Sequence, residues 1–217
     1  RKNAMNRYVN ILLVSVLTAA GQATAADYLQ AKGSSLAFSG KYQGEAFNGS
    51  FPGFSTTLRF DPAKLAGSKL DVNIPLATAT TRNADYDTEL RGGAFFNSGK
   101  FPQARYTAVK FRALGGNRFA ADGMLSLRGV SKPVTLNFSW TPGASPVLNG
   151  TAVVKRLDFG IGTGDWADVS VIPNEIRINT KVLLQAKPYA SHCLSRSASN
   201  GQSSSASPCR NTGTRAP

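Results

Sequence analysis

Histidine and cysteine are nearly missing from this 217-residue chain: one His and two Cys, at positions 192, 193 and 209, all near its carboxyl end. The body before them therefore has no imidazole for a catalytic triad or a metal site. It also has no thiolate for a nucleophile or a zinc–sulfur centre. Acids are scarce as well, 12 Asp and Glu against 25 Lys and Arg. The apolar run "YVNILLVSVLTAA" (Tyr8 to Ala20) has only 13 residues and is interrupted by Asn10, Ser15 and Thr18, whereas a spanning helix needs about 20. Arg7 precedes it and the small-x-small pattern Ala23-Thr24-Ala25 follows. Residues 1–25 thus read as a signal peptide with a few upstream residues, Met5 being the start. The expected mature protein begins at Ala26 and is exported to the periplasm. No cysteine follows the run, which argues against a lipid-anchored form.

Residues 189–217 are rich in serine and free of acids. Such a segment buries too little apolar surface to offset its ordering entropy, so a disordered low-complexity tail is expected. Export would permit a Cys193–Cys209 disulfide, but it would close only a loop of that tail, and the pairing stays open. The remaining stretch, 26–188, is one domain's worth of chain. It holds 19 of the 25 basic residues and all 12 acids, a net charge of +7. In an exported protein that charge suits transient contact with anionic lipid head groups or a membrane surface better than nucleic acid. A merely solubilising excess is the plainer alternative.

What fills this domain is alternation of period two. "VTLNFSW" puts Val134, Leu136, Phe138 and Trp140 on one face and Thr135, Asn137 and Ser139 on the other. Leu70, Val72 and Ile74 repeat the pattern, as do Ile176, Ile178, Thr180, Val182 and Leu184. These are half-buried antiparallel strands. Asn48-Gly49, Gly115-Gly116-Asn117 and Asn149-Gly150 are expected to be hairpin turns. A brief helical turn is expected from Asp61-Pro62 to Leu65, and a short helix near Asp85–Leu90. About eight strands with one or two short helices make an all-β fold, and an open sheet of that size would expose its edges. A closed barrel or a sandwich is implied. A barrel of eight strands either fills itself or holds one slender ligand.

Motifs for chemistry are weak. "GIGTGD" (Gly160 to Asp165) lacks the full phosphate-binding pattern and is read as a bend. Asp85, Asp87 and Glu89 lack calcium-loop spacing and suit the start of a short helix, where the helix dipole favours acids. No catalytic residue, metal ligand or cofactor is assigned, and the chain is read as a non-enzyme. One segment stands out: "LRGGAFFNSGKFPQARY" (Leu90 to Tyr106) sets Phe95, Phe96 and Phe101 in a glycine-bounded loop beside Arg91 and Lys100.

The stretch "LATATTRNADYDTELRGGAFFNSGKFPQARYTAVKF" resembles the signature of the YceI family of polyisoprenoid-binding proteins. "GMLSLRGVSKPVTLNF", "FDPAKLAGSKLDVNI" and "RLDFGIGTGDWADVSVIPNEIRI" are similar to further family segments, in family order. The resemblance implies an extended, lipocalin-like antiparallel barrel enclosing a long isoprenoid lipid. Where the family often has an Arg-Asp pair and a His-Leu-Arg triplet, this chain has Tyr86-Asp87 and Glu89-Leu90-Arg91, so Glu89 replaces the usual histidine. The ligand it implies is a polyprenyl phosphate or a quinone, and a homodimer is compatible with it. The ligand-facing residues implied are Phe38, Arg91, Phe95, Phe96, Phe101, Phe111, Leu127, Leu136, Phe138, Phe159 and Trp166. The three loop phenylalanines would form wall or lid over the tail, or else plug one end of a filled barrel. Arg91 would meet the head group.

Overall fold

The computed structural model describes residues 25–187. The segment read as a signal peptide and the serine-rich tail lie outside those residues. Within them, ten strands form one antiparallel sheet. They are β1 (Ala26–Gln30), β2 (Ser35–Tyr42), β3 (Glu45–Ser50), β4 (Ser55–Phe60), β5 (Lys69–Pro75), β6 (Gln103–Gly115), β7 (Arg118–Leu127), β8 (Val130–Thr141), β9 (Val147–Lys155) and β10 (Glu175–Ala186). Strands β1-β4-β5-β6-β7-β8-β9-β10 are neighbours in that order, and β1 also pairs β10. The result is a closed eight-stranded antiparallel barrel. Closure removes the edges that an open sheet would expose.

The hairpin β2–β3 is an addition to this ring. One edge of β10 is taken by β9 from Glu175 to Leu183. Its other edge is shared: Arg177–Lys181 pairs β2, and Leu184–Ala186 pairs β1. The wall is therefore completed by β1–β4 at one level and by β2–β3 at another. Strand β3 pairs β2, and its one further strand pairing among the described residues is a bridge between Ser50 and Thr80.

Alternation in the sequence sets the faces. On β8, Leu136, Phe138 and Trp140 are buried while Thr135, Asn137 and Thr141 are exposed, and β4 alternates throughout. The expected short helix is α1 (Ala84–Arg91). Its Asn83 cap accepts from the amides of Asp85 and Tyr86, and Asp85 and Asp87 occupy its first turn, as capping and the helix dipole favour.

Three expectations are corrected. The Asn48-Gly49 pair is not a turn but lies within β3, and the β2–β3 hairpin turns at Gln43-Gly44, both with positive φ. Gly49 is there because a Cβ would come within 2.1 Å of the Phe38 ring. Asn149-Gly150 likewise lies within β9, where Gly150 pairs with both Phe138 and Thr180. The segment after Asp61 makes consecutive turns rather than a helical one. The Asp61 carboxylate takes the Ala63 amide, its carbonyl takes that of Lys64, and Gly67 at φ +84° turns the chain back. The turn at Gly115-Gly116 is where it was expected.

One end of the barrel is filled. Phe60 lies 5.0–5.8 Å, centroid to centroid, from Phe111, Phe119, Phe138 and Trp140, and Tyr28 meets Trp140 edge-on at 5.5 Å. Leu58, Leu70, Leu148 and Leu184 are at most 2% exposed. Burying each such side chain is worth ~1.5–3 kcal/mol. This aromatic floor holds the closed end together.

Candidate functional site

Above the floor the packing stops short of filling the barrel. A cavity of about 190 Å³ is lined by 28 residues, Leu70 and Leu148 at the floor among them, of which only Thr56, Tyr106, Arg156 and Thr180 carry polar side chains. The strands supply it through their inward positions: Val72 and Ile74 from β5, Leu125 and Leu127 from β7, Leu136 from β8, Ile176 and Ile178 from β10. A space of this composition excludes charge and favours a hydrocarbon.

Three of its polar side chains are already satisfied. The Tyr106 hydroxyl reaches the carbonyl oxygens of Ala121 and Val134 at 2.7 and 3.1 Å, and burial raises its pKa above the usual tyrosine value. Thr180 Oγ1 donates to the Ser35 carbonyl at 3.0 Å. Arg156, 3% exposed, gives its guanidinium hydrogen bonds to the carbonyls of Ile161, Gly162, Ile172 and Pro173. Burial alone lowers its pKa. Among the described residues no carboxylate pairs with it.

The mouth is built from four segments. The tight turn Arg128-Gly129 joins β7 to β8 with φ of +52° and +78°, the geometry of a two-residue hairpin. From it the Arg128 guanidinium donates to the carbonyls of Gly93 (2.6 Å), Ala94 (3.2 Å), Phe95 (2.7 Å) and Gly160. This one side chain ties the Phe95–Phe96 loop to the loop after Arg156. A Gly162 amide to Ala94 carbonyl bond adds to the tie. Gly162 itself sits at φ +65° with Arg156 Nη1 2.5 Å from where a Cβ would be, so only glycine fits there. Asp87 fastens α1 from the other side, accepting from Thr80 Oγ1, Thr81 N and Thr81 Oγ1 at 2.6–2.8 Å. Those bonds, the Thr80 one foremost, hold its carboxyl below the usual range. Of the three acids Asp85, Asp87 and Glu89, Asp87 is thus a structural clasp and the other two are exposed.

The residues picked out in sequence separate into groups. Phe38, Phe95, Phe96, Leu127 and Leu136 line the cavity. Phe38, Phe51 and Phe96 form a ring cluster at 5.1–6.5 Å, and Phe95 packs on Trp166 at 5.5 Å. Trp166 backs the mouth without lining the cavity. Phe111 and Phe138 lie in the floor, away from the cavity. Phe159 is 2% exposed in the core, and Phe101 lies over Gly129 with the Lys100 ammonium 5.5 Å from its ring. Arg91 points to the backbone, donating to the Ala77 and Ala79 carbonyls at 3.2 and 3.4 Å, 3.9 Å from Asp87. Arg128 and Arg156 are not among the residues that the sequence points to. The "RGV" turn in the sequence is the one signal for Arg128; Arg156, following a strand end, has none.

A closed eight-stranded antiparallel barrel with an apolar chamber above a filled floor is a lipocalin-like barrel. The model of the YceI-like domain matches residues 28–184, and the chain belongs to that family. Among its relatives, a UPF0312 protein of Pseudomonas savastanoi pv. phaseolicola is 31% identical over 162 residues, covering 70% of this chain and 84% of the relative. A UPF0312 protein of Azotobacter vinelandii is 35% identical over 162 residues, with the same coverage. Among solved structures, BcnA of Burkholderia cenocepacia is similar with a TM-score of 0.67 and 28% identity, over 69% of this chain and 95% of its own. A polyisoprenoid binding domain from Saccharophagus degradans shares the fold at a TM-score of 0.58 and 18% identity, over 75% and 99% of the two chains.

Proposed function

We propose that this protein binds an isoprenoid-tailed amphiphile, such as a polyprenyl phosphate or a quinone, with its tail in the barrel, and that it acts as an exported carrier or store in the periplasm rather than as an enzyme. The observation that carries this reading is the chamber, apolar at 24 of its 28 lining residues. The structural likeness to a polyisoprenoid binding domain supports it. For a tail of ~20 carbons, transfer from water is worth on the order of 10–15 kcal/mol before binding costs, so burial of the tail sets affinity. Phe95 and Phe96 close the chamber, and the Arg128 and Arg156 guanidiniums, with no acid against them, give the mouth a positive field toward an anionic head. Arg91, the arginine expected from the sequence to meet the head group, is likewise hydrogen-bonded to backbone carbonyls, with Asp87 3.9 Å away. Contact with a membrane surface during exchange fits the basic charge, and no cofactor beyond the lipid is invoked.

Native purification followed by solvent extraction and mass spectrometry tests the reading directly. An isoprenoid lipid in the extract is the expected result. Protein that yields none, and that takes up none when titrated with geranylgeraniol, would be a barrel with no ligand. Amino-terminal sequencing of the periplasmic fraction from a Gram-negative host is expected to begin at Ala26.

A further inference from the structure

The chamber is small for the tail it would hold. A dry apolar cavity of ~150 Å³ takes one benzene, so each carbon needs ~25 Å³. On that scale the chamber, about 190 Å³, encloses about eight carbons, whereas a tail of ~20 carbons needs ~500 Å³. At the floor the volume is bounded by Leu70 and Leu148, each 1% exposed and each on a strand paired along both edges. Toward the mouth it is bounded by the rings of Phe38, Phe51 and Phe96, which all line it and are at most 7% exposed. Two of these rings are fixed by the sheet. Phe38 sits opposite Gly49 in the β2–β3 ladder, its ring in the space a Cβ there would need. The Phe51 amide donates to the Leu36 carbonyl at 2.9 Å. Phe96 lies in no strand; it stands on the loop after α1, where its amide donates to the Leu90 carbonyl at 2.9 Å. It is the ring that can give way without breaking a ladder.

We propose, resting on the lipid-binding reading above, that Phe96 sets the length of tail that the barrel encloses. With its ring in place the chamber takes the far end of a tail, about eight carbons or less than two isoprene units, and the head stays at the mouth. Each further carbon has to displace ring carbons that were already buried, so one apolar surface is exchanged for another and little is gained. Expelling the ring is thus one of the costs set against burial of a long tail. Without the ring the volume grows by ~150 Å³, and about fourteen carbons fit. Phe96 is therefore a specificity-determining residue. It makes affinity climb with every carbon of a short tail and leaves the protein nearly indifferent to length beyond two isoprene units.

The test uses geraniol, farnesol and geranylgeraniol, alcohols of two, three and four isoprene units. Each displaces a dansyl-labelled geraniol from the parent protein and from Phe96→Ala and Phe96→Leu. Unhindered burial gains about fourfold per carbon, ~0.8 kcal/mol, and would separate each alcohol from the next by about a thousandfold. The parent is expected instead to bind all three within about fivefold, the ring being exchanged for the tail. Phe96→Ala should favour farnesol over geraniol by at least about tenfold, as the added volume fills. Phe96→Leu, which keeps an apolar side chain on the loop, should fall between. Loss of stability or faster release weakens both alcohols together and leaves their ratio where it was. An unchanged farnesol-to-geraniol ratio in both variants, with the alcohols still bound, overturns the role of Phe96 and leaves lipid binding standing. So does a parent whose affinity keeps climbing by about a hundredfold or more per isoprene unit. If the parent binds none of the three, the lipid-binding reading falls first and the length limit with it.

Discussion

Phe138 projects from β8 into the aromatic floor, 5.6 Å from both Phe60 and Phe119, while Asn137 beside it faces water. Phe138→Ala is therefore expected to lower stability by ~3–5 kcal/mol in chemical denaturation, and Asn137→Ala by less than ~0.5 kcal/mol. Single residues also carry the pH dependence. Asp122 accepts a two-point contact from Arg112 at 2.7 and 3.0 Å and a third bond from Thr135. These hold its carboxyl at about 2, against the ordinary 3.8. The folded state thus binds fewer protons than the unfolded one between those values. Its contribution is complete above about pH 4 and is lost as pH falls toward 2. Acid titration of stability should show a shallower slope in that window for Asp122→Asn. The inward or outward sense of such residues was legible in the sequence wherever alternation ran unbroken, as along 134–140. The fate of the arginines was not. Arg91, Arg128 and Arg156 all reach backbone carbonyls, and only the chain's path decides which carbonyls lie within reach.

At the scale of elements, short periodic strands and the capped helix α1 could be read ahead, because their signals are local. Turns were misread where a glycine served packing instead: Gly49 makes room for a phenylalanine ring and so mimics a hairpin signal. The loop from Gly92 to Phe101 is the element on which the proposed closing of the chamber turns. It has little regular structure of its own and is held by Arg128 and by the Gly162 amide, so its phenylalanines can be replaced without breaking a strand. Replacing Phe95 and Phe96 together by alanine is expected to speed release of bound geranylgeraniol by tenfold or more in a stopped-flow chase, with the floor still folded. Equal release rates, with loss of stability alone, would make the loop a plug.

For the whole molecule, closure was foreseeable from edge avoidance and strand number, but the division of the interior was not. No sequence pattern distinguishes Phe138 in the floor from Phe38 in the chamber, since both are inward aromatic residues on strands; their depth depends on register and strand tilt. The shared edge of β10 carries this division further. The lower ring is sealed by continuous ladders, whereas the upper ring ends at β3, which pairs β2 along one edge and, among the described residues, meets the far side through the Ser50–Thr80 bridge. That seam is where the fewest ladder hydrogen bonds have to break for the wall to part, and the base has no counterpart to it. Amide hydrogen exchange should record the difference: β3 is expected to lose protection through small local openings, and β7 and β8 only when the entire chain unfolds.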